Sequence, residues 1–260
     1  MSRITSAGIL LRSHPYSESS RILRFLTPEH GVVAVVGKGV RKGAARGGGA
    51  METFQEGILT WAYKEGRDLH TLTDFQPGAR RLSLGRDMER FLGASLVGEL
   101  LLAHTLEEGD PELYGWIREA LARLALTPEE ELPGTVLAAA WRTLAHFGFG
   151  PELERCVRCG SELGPGEEAA PVHPRFDVAA GGLRCPACRG GGPRVGPGAR
   201  RDLQALVRGE VPRPLPGGPV HLRLLERYAL HHLGGRRPFR SFSMLAPLME
   251  QGNGADAGSD

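Results

Sequence analysis

Arg21-Ile22-Leu23-Arg24-Phe25-Leu26-Thr27-Pro28-Glu29-His30-Gly31-Val32-Val33-Ala34-Val35-Val36-Gly37 reads as two strands joined by a tight turn. Both arms are short and rich in Ile, Leu, Val and Phe, and Pro28–Gly31 is built of turn formers. The spacing predicts strands over Arg21–Thr27 and Gly31–Gly37. Working outward, Ile4–Arg12 precedes them, and Thr53–Lys64 and Leu69–Phe75 follow, with Glu65-Gly66-Arg67-Asp68 turning between the last two. Alternation is clean in Leu59, Trp61 and Tyr63, and Gly57 is expected to break the phase as a bulge. Val32–Val36 is apolar on both faces, as in a barrel wall that is also covered by another domain. Five strands within about eighty residues fit a small closed barrel. The OB-fold is the commonest oligonucleotide-binding barrel of that size, and an SH3-like barrel or a β-sandwich would give a similar pattern.

From Leu84 the period changes. Phe91, Leu92, Leu96, Leu100 and Ala103 recur at helical spacing up to Leu106. Asp110-Pro111-Glu112 is a helix start, with Asp as cap, Pro at the first helical position and Glu at the positive pole. That helix is expected to reach Leu124, and another to run from Thr135 to Phe147, before Gly148 and Gly150. Beyond Pro197 two more are expected, Ala199–Val207 and Pro219–Leu233, and the tail from residue 250 is expected to be disordered. The fold class is therefore α+β: a barrel over 1–80, a helical domain over 81–155 and 193–249, and an inserted module over 156–192.

That module contains every cysteine of the chain, as two C-x-x-C pairs, Cys156/Cys159 and Cys185/Cys188. Each turn aims two thiolates at one point, and two such turns complete a tetrahedral four-cysteine zinc site. A closed four-thiolate site leaves no position for water or substrate, so one structural zinc is expected rather than a catalytic one. Two disulfides would need an oxidising compartment, and a thioredoxin-like pair would need a strand-to-helix turn. His173, between the pairs, is a fifth candidate ligand that four thiolates make unnecessary.

Net charge is +2, so bulk charge does not mark a nucleic-acid binder, but its distribution is uneven. Residues 1–80 hold 11 Lys and Arg against 7 Asp and Glu, residues 81–155 hold 7 against 13, and residues 156–260 hold 14 against 10. A basic head, an acidic middle and a basic tail point to surfaces with different partners. No apolar run is long enough to span a bilayer, and the patch Ala7–Leu11 is too short for a signal peptide, so a cytoplasmic location is expected. Gly31–Lys38 fails the Walker pattern in spacing and in its missing hydroxyl, and no H-E-x-x-H, G-x-S-x-G or dinucleotide fingerprint occurs. Glu107-Glu108, Glu129–Glu131 and His231-His232 fit solvated helix ends, so no catalytic residue is assigned.

Nucleic-acid binding needs cations along phosphates and aromatic faces for bases. The first segment offers Arg12, Arg21, Arg24, Lys38, Arg41, Lys42 and Arg46 as DNA-binding cations. Tyr16, Phe54, Trp61 and Tyr63 are candidate platforms, with barrel core as the competing role for Phe54 and Trp61. Lys38–Arg46 places four cations in nine residues of a loop that ends in three glycines. Nothing reads base edges, so sequence-tolerant binding is expected.

Gly8–Arg21, continuing through Phe25–Gly31 to Gly37–Lys42, resembles the N-terminus of the RecO family of bacterial recombination mediators. Asp68-Leu69-His70-Thr71-Leu72, the helical middle, the C-x-x-C pairs and Arg237–Phe242 fit the same family in the same order. The resemblance implies an N-terminal OB-fold, a helical body and a zinc module. It implies a non-enzymatic role: binding single- and double-stranded DNA in the nucleoid, annealing complementary strands, and acting with RecR on strands coated by single-strand-binding protein so that RecA loads. Gly47–Gly49 departs from the more polar sequence of that family. In the mechanism this implies, the zinc fixes how Arg155, Arg158, Arg184 and Arg189 are presented. The competing readings are a zinc-ribbon adaptor that docks protein on its acidic helices, and a nuclease or hydrolase, for which no converging acids or histidines are visible.

Overall fold

The computed structural model describes residues 2–38, 51–78, 81–104, 108–164, 172–215, 217–234 and 239–252. Two compact units emerge, Met1–Leu126 and Thr127–Asp260.

In the first unit, β1 (Ser2–Pro15), β2 (Arg21–Thr27), β3 (Gly31–Gly37), β4 (Glu56–Tyr63) and β5 (His70–Pro77) close a barrel in the order β1-β2-β3-β5-β4. Every ladder is antiparallel except β3 with β5, where Val35 pairs with His70 and Val36 with Thr71. That order is the OB-fold, which excludes the SH3-like and sandwich alternatives. β1 pairs with β4 over Ser2–Ile9 and with β2 over Ile9–Pro15, and a register shift between Leu10 and Arg12 bends it from one neighbour to the other. Leu10, Leu23, Phe25, Val33, Val35, Leu59, Trp61 and Phe75 fill the interior.

The outward row Val32, Ala34 and Val36 is half-buried. Val32 and Ala34 line a cleft of about 780 Å³ together with Leu101 and Leu102 of the following helix, which explains why β3 is apolar on both faces.

Gly57 is not a bulge. It sits in register between Gly8 and Pro77, and the β4–β5 irregularity falls between Thr60 and Trp61 instead. Glycine is required at 57 because a Cβ there would lie 2.5 Å from the Phe75 ring and from the Gln76 carbonyl oxygen. The fourth strand also starts later than expected. Phe54 has φ +68°, its N–H donates to the Leu10 carbonyl oxygen, and β4 begins at Glu56. A bulky residue reaches that conformation only when its surroundings hold it. Phe54 is held by the Phe91 ring, 5.9 Å away, and by its seat against Gly98.

The helical pattern from Leu84 divides into α1 (Leu82–Arg86) and α2 (Met88–Ala103). Asp87 is extended between them and caps α2 by accepting from the Arg90 N–H at 3.0 Å. Asp110 caps α3 (Pro111–Leu126) through the Leu113 N–H at 2.9 Å. By their contacts these helices cluster with the barrel in the first compact unit. Arg81 shows how they attach: it forms an ion pair with Glu56 and donates to the Phe54 and Arg118 carbonyl oxygens.

The second unit begins with a 3₁₀ turn, Glu129–Glu131, and α4 (Leu132–His146), and closes with α5 (Pro197–Arg208), α6 (Gly218–His232) and α7 (Arg240–Gly252). The last helix was not expected. It runs into the segment expected to be disordered, while 253–260 lie outside the described residues. Between α4 and α5 sit β6 (Arg175–Asp177) and β7 (Gly182–Arg184), an antiparallel pair. No helix among the described residues is long and apolar enough to cross a membrane.

Candidate metal centre and basic barrel face

The two knuckles are built by backbone. Gly160 closes the first turn at φ +74°, with its N–H on the Cys156 carbonyl oxygen. In the second turn the Cys188 N–H donates to the Cys185 carbonyl oxygen at 3.1 Å. The chain before the first knuckle runs alongside β7: Leu183 N–H donates to Glu152 O and Val157 N–H to Leu183 O, both at 2.9 Å. This approach leaves no room at Gly182, where a Cβ would lie 2.3 Å from the Glu152 carbonyl oxygen. Gly182→Ala is expected to lower stability by about 1–3 kcal/mol, read as a reduced denaturation midpoint with the metal bound. An unchanged midpoint would show that the approach is not needed.

The ligand atoms of Cys156, Cys159, Cys185 and Cys188 all lie within 4.8 Å of one another, and His173 is not in that group. The sulfurs of Cys159 and Cys185 are 3.8 Å apart. Four sulfurs about 2.3 Å from one zinc ion would be about 3.8 Å apart along each tetrahedral edge, so the spacing suits a metal, and all four cysteines are free thiols. Their acidities diverge. Burial pushes Cys156 up, but N–H groups of Cys185, Cys159 and Arg158 outweigh it and bring that thiol down to about 6. Cys188 is pushed up to about 12, because the Cys159 and Cys185 sulfurs accept its proton. Without a cation the cluster must retain protons, and a metal would displace them.

An aromatic seam joins the module to the helices of its unit. Phe176 of β6 meets Tyr228 of α6 edge-on at 5.7 Å, and Tyr228 contacts Trp141 of α4 at 5.2 Å. His232 Nε2 is 2.8 Å from the Val178 carbonyl oxygen. The sequence marked His232 only as a charge at a helix end; its partner, distant in sequence, gave no signal there.

The four arginines expected to be presented by the module do not behave alike. Arg184 is paired with Asp177 and donates to the Arg189 carbonyl oxygen, so it holds the module together. Arg155, Arg158 and Arg189 are all exposed, and Arg155 alone of these faces a carboxylate among the described residues, Glu162 at 3.5 Å. Arg175 and Arg194, passed over in the sequence, meet in an isolated antiparallel bridge beside the cysteines.

On the barrel, Arg12 and Arg24 are direct register partners and both are exposed. Their alternation with inward Leu10, Leu23 and Phe25 puts both on the outer wall. Neither has an acidic partner among the described residues. Arg21 stands near the strand end, its Nε donating to Ser13 Oγ at 2.6 Å. Lys38 is exposed directly after Gly37, the register partner of Arg21. The crowding registers on His14: burial first, and then the fields of Arg12, Arg24 and Arg21, hold its pKa below the ordinary value. Arg41, Lys42 and Arg46 lie outside the described residues, as does the glycine run. Phe54 and Trp61 are 2% and 1% exposed, so they are core, not platforms. Tyr16 is 60% exposed and Tyr63 37%, the latter in ring contact with His70 at 5.0 Å.

Family models described as "Recombination protein O N terminal" and "Recombination protein O C terminal" match residues 1–79 and 85–241. The chain is similar to a protein named DNA repair protein RecO from Anaeromyxobacter dehalogenans, 32% identical over 96% of this chain and 99% of that one. Proteins of the same name from Frankia casuarinae and Myxococcus xanthus are 35% and 33% identical. Those alignments cover 78% and 91% of this chain, and 81% and 95% of the relatives.

Proposed function

The chain belongs to the RecO family of DNA repair proteins, and from that premise we propose that it is a non-enzymatic mediator that binds DNA strands through its barrel and anneals them. The observation that carries this reading is the Arg12–Arg24 pair. Like charges placed directly opposite each other in a sheet are destabilising, and these two gain no acidic partner among the described residues. A polyanion laid across the wall would offset that cost. Arg21 and Lys38 extend the charge along one end of the barrel, and the sequence continues it through Arg41, Lys42 and Arg46. Tyr16 is 60% exposed and follows Pro15, the register partner of Arg21, so it is the candidate platform at that end of the barrel.

The four-cysteine site is proposed to hold one structural zinc ion, since four thiolates satisfy it and leave no open position. The metal supplies folding energy, and the residues around it set the path of the chain. The proposed partners are single- and double-stranded DNA, RecR and single-strand-binding protein, with RecA loading as the downstream event in the cytoplasm.

The deciding experiment mixes complementary oligonucleotides, each coated with cognate single-strand-binding protein, with and without the chain. Faster duplex formation without nucleotide is expected; no acceleration by folded, metal-loaded protein would favour an adaptor. Arg12→Gln/Arg24→Gln should weaken DNA binding on every sequence. It should also flatten the salt dependence by roughly 1.4–1.8 in log–log slope, about 0.7–0.9 for each lost phosphate contact. An unchanged slope would move the interface off this wall.

A further inference from the structure

A groove of about 320 Å³ runs along the second cysteine knuckle. Arg175, Arg189, Arg194 and His173 line it, and no acidic residue does so among the described residues. Its arginines differ from their neighbours. Arg184 and Arg155 each have a carboxylate partner, while Arg189 and Arg194 are exposed and have none among the described residues.

The backbone makes this arrangement rigid. Gly190 and Gly191 have φ +96° and +92°, a path that favours glycine. The chain then returns beside β6: Gly192 N–H donates to Phe176 O at 2.7 Å, Phe176 N–H to Pro193 O at 2.9 Å, and Val195 N–H to Pro174 O at 2.9 Å. The returning segment thereby sets Arg194 opposite Arg175. A Cβ on Gly191 would lie 3.2 Å from the Arg175 Cβ, so the glycine run is packed against the site rather than acting as a slack linker. Arg175 Nη1 donates to the Gly192 carbonyl oxygen at 2.9 Å, which fixes the floor. Two exposed arginines, Arg189 and Arg194, thus share the groove with a third that is tied to its frame. Arginine forks match phosphate oxygens in paired hydrogen bonds.

We propose that this groove is a second DNA-contacting surface, which grips the phosphodiester backbone of a strand without reading its bases. The inference rests on the DNA-binding reading of the barrel and adds a site on the other compact unit. Annealing brings two polyanions together, and a protein with two separate phosphate sites can screen both strands at once. The alternative role for the arginines is to balance the negative charge of a metal–tetrathiolate cluster, and the test separates the two.

The test uses the full, metal-loaded chain, a fluorescein-labelled oligothymidylate and a salt titration. Arg189→Gln/Arg194→Gln leaves Arg175 and the glycine turns in place. On this single strand the slope should fall by roughly 1.4, with metal content unchanged, and this loss should add to that of Arg12→Gln/Arg24→Gln. An unchanged slope in the groove variant, with the barrel variant still reduced, overturns the groove and leaves the barrel reading standing. Loss of metal from the groove variant also overturns it, because the arginines would then serve the thiolates. A slope reduced only in the groove variant supports the groove and overturns the barrel wall. If the unmodified chain does not bind the oligonucleotide, both fail together.

Discussion

Cys156→Ala/Cys185→Ala is expected to abolish metal binding and to unfold the module between α4 and α5 while leaving the barrel folded. β6 and β7 are three residues each, far too short to persist alone. The apolar residues buried in the module are few, chiefly Leu153, Phe176, Leu183 and Val195. Closure by the metal must supply what that small core does not. Structural zinc sites contribute on the order of 10–16 kcal/mol of apparent binding energy, which is folding energy when no site pre-exists. Metal analysis should fall from one ion per chain to none, and amide exchange at Val157 and Leu183 should lose protection. Retained protection in the metal-free variant would show that the aromatic seam under Phe176 suffices. The acidities add a direction in pH. Cys188, held near 12, must give up its proton on metal uptake, so metal affinity should rise with pH and uptake should acidify a weakly buffered solution.

Trp61→Ala should be the most damaging single substitution in the barrel, at about 3–5 kcal/mol for an aromatic core truncation. Trp61 is among the largest fully buried side chains, in one cluster with Leu10, Phe25 and Phe75. Its indole edge meets the His30 ring at 5.4 Å and 87°, so the cavity would open under the β2–β3 turn. Its Nε1 has no hydrogen-bond partner among the described residues. Trp61→Phe removes that N–H with less volume and should cost clearly less than alanine. Equilibrium urea unfolding of the two variants gives the comparison, and equal losses would mean that ring volume does not decide the site.

Much of this was legible because barrel strands and cysteine knuckles advertise themselves locally. β2 and β3 start and stop where their turn residues say, since Pro28–Gly31 offers the backbone no better conformation. The C-x-x-C spacing found its four sulfurs, because each pair needs only its own turn. What was missed depends on tertiary partners. Gly57 looked like a bulge, whereas the Phe75 ring across the sheet is what requires a glycine. Phe54 looked like strand, whereas its seat against Gly98 and Phe91 pins it in a left-handed turn. The clustering of α1–α3 with the barrel runs through contacts such as Arg81–Glu56, which no periodicity encodes. For α7 a signal existed in Phe242, Leu245 and Met249, all buried at helical spacing, but Pro247 inside the helix masked it. Arg184 is no free cation, because Asp177, seven residues away on the facing strand, pairs with it.

The bent first strand also has two neighbours that lie at very different distances along the chain. β1 reaches one neighbour, β2, after a short hairpin, but its other neighbour, β4, pairs Ser2 with Tyr63. A chain leaving the ribosome therefore presents a three-stranded meander whose first strand has a naked edge, and it stays naked until the fourth strand emerges. Such an edge invites pairing with another nascent copy. The side chains at its start, Ser2, Arg3 and Thr5, are exposed in the finished barrel, and their polarity and charge guard that edge during the interval. Pairing with β4 closes the barrel and ends the exposure.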